Sequence, residues 1–311
     1  MVNEIRKINK VWKSVPTIEG AGVHLKRAFG NQHVPLFDPF LLLDDFRSDN
    51  PAYYIKGFPW HPHRGIETIT YVLGGAVEHG DSMGNKGIIS PGDVQWMTAG
   101  SGIIHQEMPK SNNEGYMGGF QLWANLPASH KMIDPRYQGI TASEIPEVIV
   151  EGHVKLKIIC GKVAHVQGPV RDVVADPQYL DVTVPAGTTF THPIKRGYTA
   201  FAYVIDGEGY FDPDRDAYSH EVVGINYFDL QRKCACNTET IVLYGNGDVV
   251  VISAEETPVR FLLVSGRPIG EPVAWYGPIV MNTQKELEIA FEEYQEGTFV
   301  KHKKNVRFSK C

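Results

Sequence analysis

Apolar and polar positions alternate in short stretches along most of this 311-residue chain. Residues 67–73 (ETITYVL), 118–127 (GGFQLWANLP), 154–163 (VKLKIICGKV) and 259–268 (VRFLLVSGRP) are rich in Val, Ile, Thr, Tyr and Phe. So are 87–100 (GIISPGDVQWMTAG), 179–190 (YLDVTVPAGTTF) and 198–211 (YTAFAYVIDGEGYF), and turn residues bound each segment. Short runs of this composition between Gly and Pro clusters predict strands. Gly74–Gly75 and Asp206–Gly207 read as hairpin turns, where a positive φ is required and Gly supplies it. One stretch has a helical period instead. Thr283 and Glu286 form a capping box, Leu287, Ala290, Phe291 and Tyr294 follow at helical spacing, and Gly297 is the stop. The pattern predicts an all-β protein, sandwich or barrel, with a short C-terminal helix packed outside and taking no part in chemistry.

Length suits two domains of about 150 residues each. The polar, turn-rich stretch 128–147 reads as a linker, which divides the chain into 1–137 and 138–311. The halves share a layout. Residues 57–80 (GFPWHPHRGIETITYVLGGAVEHG) and the region near 190 each place His-Pro before a strand and a Gly-containing turn. The second copy keeps His192 alone, as a duplication with one degenerate site would. Net charge is −6, so nothing global favours nucleic acid or an anionic membrane. No apolar run approaches the roughly 18 residues of a spanning helix, and residues 1–15 lack the apolar core of a signal peptide. Cys160, Cys234, Cys236 and Cys311 make no disulfide framework, and there is no Asn-x-Ser/Thr sequon. These features favour a reducing, cytoplasmic setting. The basic tail from Lys301 reads as a solvated end, and its KHKK is too short to assign to the nucleus.

Chemistry concentrates in two polar pairs. His61 and His63 stand two apart, which on a strand sets both imidazoles on one face. His105 and Glu107 repeat that spacing after a Pro-Gly-Asp turn and a Gly-x-Gly. Facing strands of a barrel would bring three imidazoles and a carboxylate to one interior point, where such groups are costly unless hydrogen-bonded or bound to metal. Glu67 shares the parity of His63 and is a rival carboxylate; Arg64, on the other parity, reads as a surface or supporting residue. Histidines 24, 33, 79, 130, 153, 165, 192, 220 and 302 are unpaired and read as surface or turn positions.

Residues 58–68 (FPWHPHRGIET), 91–109 (PGDVQWMTAGSGIIHQEMP), 120–127 (FQLWANLP) and 271–283 (EPVAWYGPIVMNT) resemble the pirin family along nearly the whole chain. Gly57, His61, His63, Glu67 and Gly74 fit the broader first cupin motif, and Pro91, Gly92, Asp93, Gly102 and His105 the second. The resemblance implies a bicupin of two jelly-roll barrels, with mononuclear iron in the N-terminal one and a C-terminal one without a site. It implies His61, His63, His105 and Glu107 as metal ligands. Imidazole and carboxylate donors suit Fe, Mn, Co, Ni, Cu or Zn. By resemblance the activity is quercetin 2,3-dioxygenation, in which Glu107 takes the flavonol 3-hydroxyl proton, O2 adds across the 2,3-bond and CO leaves. Phe58, Trp60, Trp96, Met97 and Trp123 are candidates to line a pocket for the flat substrate. The same family includes iron- and redox-responsive proteins that bind a transcription factor or metabolic enzyme, the alternative function. A metal-dependent sugar isomerase suits the aromatic surroundings of His61 less well.

Overall fold

The computed structural model describes residues 3–224 and 233–301. The strands gather into two compact units that interleave in sequence. One is made of the described residues up to Val15 with Lys26–Pro39 and Ser143–Pro268, the other of Pro16–Leu25, Phe40–Ala142 and the described residues from Ile269. Sequence alone divides the chain between residues 137 and 138, whereas in the fold both chain ends cross that division. The physical reason lies in the terminal elements. Strand β1 (Ile8–Lys13) finds its ladder on Thr240–Tyr244, with Val11 opposite Val242 and Trp12 opposite Ile241. Helix α1 (Gln284–Gln295) buries Leu287 and Ala290 beside Ile279, Met281 and Phe299.

The second unit takes β2 (Val15–Glu19) from Pro16 and β3 (Val23–Phe29) as far as Leu25, then β4 (Phe40–Asp45), β5 (Phe58–His63) and β6 (Ile66–Gly74). They continue with β7 (Ala76–Asp81), β8 (Lys86–Ile89), β9 (Val94–Thr98), β10 (Ile103–Lys110), β11 (Gly118–Asn125) and β12 (Arg136–Ile140). A four-stranded sheet runs β5-β10-β7-β8, and a seven-stranded sheet runs β12-β9-β6-β11-β4-β3-β2. The expected hairpin at Gly74–Gly75 is a crossing between sheets: Gly75 has φ +68°, but β6 pairs with β9 and β11 while β7 pairs with β8 and β10. The expected linker 128–147 contains β12, whose residues pair with β9 from Arg136↔Thr98 to Ile140↔Val94. An edge strand reads as polar because one of its sides meets water.

In the first unit a nine-stranded sheet surrounds a core that includes Val154, Leu156, Val182, Val204, Val242 and Phe261, each fully buried. Gly207 lies within the strand Thr199–Gly209, where the register shifts between Val204 and Asp206. The expected turn there is therefore a bulge. A Cβ at Gly207 would stand 2.0 Å from the Pro258 carbonyl oxygen, so glycine is obligatory. His192, expected at the surface, is buried in this unit with its Nε2 2.6 Å from Gln178 Oε1.

The capping box at Thr283 and Glu286 forms as expected, with Glu286 N–H donating to Thr283 Oγ1 and Thr283 N–H donating to Glu286 Oε2. No described helix is long and apolar enough to cross a membrane. Among the described residues Cys160, Cys234 and Cys236 form no disulfide. Lys301 pairs with Glu293 at 2.7 Å, and the rest of the basic tail, with His302 and Cys311, lies outside the described residues. The architecture is the all-β, two-barrel fold with a short terminal helix that the sequence implies.

Candidate metal centre

Strand β5 is the outer strand of the four-stranded sheet, which is where Pro59 and Pro62 are tolerated. It presents His61 opposite His105 of β10. The His61 Nδ1 lies 2.8 Å from the Pro59 carbonyl oxygen, and the His63 Nδ1 lies 3.0 Å from that of Pro278. A carbonyl oxygen accepts and cannot donate, so Nδ1 carries the proton in both rings and each Nε2 is left with a lone pair. Those two Nε2 atoms are 3.1 Å apart. His105 completes the group, with ring centroids 4.4 Å from His61 and 5.0 Å from His63. It is 1% exposed, and neither of its ring nitrogens has a hydrogen-bond partner among the described residues.

Three imidazoles thus present ligand atoms within 4.8 Å of one another, the one such group among the described residues. Two lone pairs facing each other repel unless a cation lies between them. A proton fills that role poorly. Burial, then the neighbouring His61, holds the His63 imidazole well below its ordinary pKa, and burial followed by His63 and His61 does the same to His105. The donor set fits a divalent transition metal.

Glu107 follows two residues after His105. The register of β10 against β5 shifts between these two residues. A bulge of this kind re-aims a side chain. One carboxylate oxygen of Glu107 is 3.9 Å from His105 Nε2. Thr70 Oγ1 lies 3.0 Å from its Oε1, and Gln121 Nε2 donates to its Oε2 at 3.3 Å. Burial pushes the carboxyl up to about 7, against the pull of the Thr70 and Gln121 hydrogen bonds.

The rival Glu67 points elsewhere. Along β6, Thr68 and Thr70 share a face with Trp123, Gln121 and Met97, their partners on β11 and β9, and this is the face that meets Glu107. Glu67 lies on the opposite face, where it accepts a hydrogen bond from Thr98 Oγ1 at 2.7 Å. Trp96, opposite Ile69, shares that far face and does not line the site.

Of the other aromatic candidates, Trp123 stands edge-on to His63 at 5.1 Å, and Phe58 lies 6.4 Å from His61. Met97 is fully buried, while Trp60 is half exposed. Sequence reasoning missed Trp275, whose ring is 5.8 Å from that of Trp123. It also missed Thr70 and Gln121, although the alternation of threonines in ETITYV carried a signal for the first. His79 is half buried and sits opposite Glu107 on β7, so it is not a simple turn residue.

Arg64 is 1% exposed rather than at the surface. Its guanidinium donates to the Ser101 and Phe299 carbonyl oxygens at 2.7 and 2.9 Å, pairs with Glu293 at 2.7 Å and lies over the Phe299 ring.

The Pirin family model matches residues 22–124, and the Pirin C-terminal cupin domain matches residues 179–300. A pirin-like protein of Caulobacter vibrioides is 42% identical, over 95% of this chain and 99% of its own length. A Pseudomonas aeruginosa protein, provisionally assigned as a quercetin 2,3-dioxygenase, is 40% identical over 91% of this chain and 94% of its own. The crystal structure of quercetin 2,3-dioxygenase from Acinetobacter baumannii superposes with a TM-score of 0.81 at 29% identity, covering 95% of this chain and 98% of that one. With family matches in both halves and full-length relatives at this identity, the chain is a bicupin that belongs to the pirin family.

Proposed function

We propose that the protein is an iron-dependent dioxygenase that cleaves flavonols such as quercetin with O2, with His61, His63, His105 and Glu107 as metal ligands. The observation that carries this reading is the inward-facing trio of imidazole nitrogens with a buried carboxylate beside His105. The dioxygenase names of several relatives and of a solved structure add support. Mn, Co, Ni, Cu or Zn also suit this donor set. Iron(II) held there would supply the one-electron chemistry that ground-state O2 needs to react with a closed-shell flavonol.

The protein's own part is proton transfer and orientation. Glu107 takes the 3-hydroxyl proton of the substrate, a transfer that needs the two groups within hydrogen-bond reach. Thr70 and Gln121 fix the carboxylate's direction. Trp123 and Trp275 offer apolar ring surface for a flat aromatic molecule near His63. In the overall reaction the C2–C3 and C3–C4 bonds break and both atoms of O2 enter an ester acid. C3 leaves as CO with its own oxygen, so one flavonol and one O2 give one ester acid and one CO.

The test is anaerobic loading with Fe(II), then quercetin and O2, with CO measured beside a His61→Ala control. CO from the wild type and none from the variant is the expected result. No CO from fully loaded wild type would remove this activity and turn attention to the metal-responsive partner-binding role.

A further inference from the structure

The described residues from Ile269 onward form an arm on the metal-bearing unit. Its first part is a hairpin of two short strands, Ala274–Tyr276 and Ile279–Met281. The hairpin meets the end of β5 through its backbone: Val280 N–H donates to the Arg64 carbonyl at 3.1 Å. At the tip of the hairpin, the Pro278 carbonyl is the acceptor that sets the His63 tautomer. A candidate ligand therefore takes its orientation from a peptide group 215 residues away in sequence.

Lys131 sits at this junction. It is 2% exposed, and its Nζ donates to the Gly65 carbonyl at 2.9 Å, to Asn125 Oδ1 at 2.6 Å and to the Val280 carbonyl at 3.0 Å. Three acceptors match the three hydrogens of an ammonium group. Gly65 is two residues after His63, and Val280 is two residues after Pro278. Burial lowers the pKa of Lys131 to about 7, and this one side chain ties the segment that bears the histidine to the segment that bears its acceptor. Gly65 makes the approach possible: it has φ +78°, and a Cβ there would stand 2.0 Å from the Val280 carbonyl oxygen and 2.9 Å from Lys131 Cδ. Desolvating an ammonium group costs several kcal/mol. A methionine would fill similar volume without that cost and without joining the two backbones.

We propose that Lys131 is a positioning residue for the metal centre: by clamping Val280 to the Gly65 carbonyl it holds the Pro278 oxygen on His63 Nδ1, and so keeps His63 Nε2 turned to the metal. The inference rests on the metal-site reading above. Hydrogen-bond partners of ligating histidines fix tautomer and ring orientation, and their loss typically weakens metal binding roughly 10- to 100-fold.

The test uses the full chain and Ni(II) alone, with affinity read by competition against a chelator and fold by circular dichroism. Lys131→Met should weaken Ni(II) binding roughly tenfold or more while the protein stays folded. Gly65→Ala displaces Val280 by a different route and should do the same. Val250→Ala, in the core of the other unit, lowers stability without touching the junction and should leave affinity within about twofold. Equal affinity in folded Lys131→Met and wild type overturns the inference. Absence of Ni(II) binding by the wild type overturns the metal reading instead.

If neither junction variant folds, nitrogen-15 spectra of the Zn(II)-loaded wild type decide. A His63 Nδ1 proton shielded from exchange, with Nε2 bound, supports the clamp. Coordination through Nδ1, or free exchange of that proton, overturns it.

Discussion

Glu107 and Glu67 are both buried carboxylates inside matching motifs, and the difference between them rests on one glycine. On an unbroken strand Glu67 would share the face of His63, four residues earlier. The strand breaks between them: β5 ends at His63, Gly65 has φ +78° and β6 begins at Ile66. The parity argument fails across that bend, so spacing alone could not choose the carboxylate. Glu107→Gln is expected to weaken Ni(II) binding roughly tenfold or more and to abolish CO release, whereas Glu67→Gln should keep affinity within about twofold. Competition titration separates the two, and equal losses would contradict the assignment. His192 offers a second test at this scale. Burial lowers its pKa from 6.5 to about 4, and the neutral ring donates Nε2–H to Gln178. The unfolded chain takes up this proton first as pH falls. The stability linked to His192 is therefore complete above about 6.5 and is lost as pH drops toward 4, by on the order of 3 kcal/mol. Urea unfolding at pH 7 and pH 4.5 should show a smaller pH effect in His192→Gln than in wild type. An identical pH effect in both would contradict this.

At the scale of elements, strand positions were legible and their partners were not. The β-branched and aromatic residues of ETITYVL and GGFQLWANLP mark β6 and β11, although β6 is buried on both faces and its alternation does not separate core from solvent. The glycines at 74–75 and 207 mark bends correctly, since positive φ is a local property. Whether the chain then pairs with itself, crosses to another sheet or bulges depends on non-local contacts. Strand β12 was hidden by its polar edge composition. The terminal helix was read correctly from its caps, but its tie to Arg64 was not, because the acceptors at Ser101 and Phe299 are backbone carbonyls. That tie should dominate the docking of the helix. Arg64→Met is expected to cost about 3 kcal/mol, since it leaves two buried carbonyls unpaired and removes the stacking on Phe299. Glu293 is partly exposed and can rehydrate, so Glu293→Gln should cost about 1 kcal/mol or less. Equal costs in urea unfolding would mean that the ion pair alone anchors α1.

For the whole molecule, the candidate site was legible to the extent that it is written in side chains. His61, His63, His105 and Glu107 announce themselves by spacing on strands, and the structure brings the three histidines together with the carboxylate beside them. Their support was not legible. Pro278 acts through its carbonyl, and Lys131 lies in a stretch whose composition reads as a linker. The crossing of the chain ends escaped sequence reading for the same reason, since a terminal strand carries no label naming its partner. The central claim is that a flavonol is opened by O2 at these four residues. Its most direct measurement is one aerobic reaction of Fe(II)-loaded protein with quercetin under 18O2, analysed by mass spectrometry beside Glu107→Gln. The account expects both labels in the ester acid, unlabelled CO and no product from the variant. Labelled CO, product without label or full activity in Glu107→Gln would contradict it.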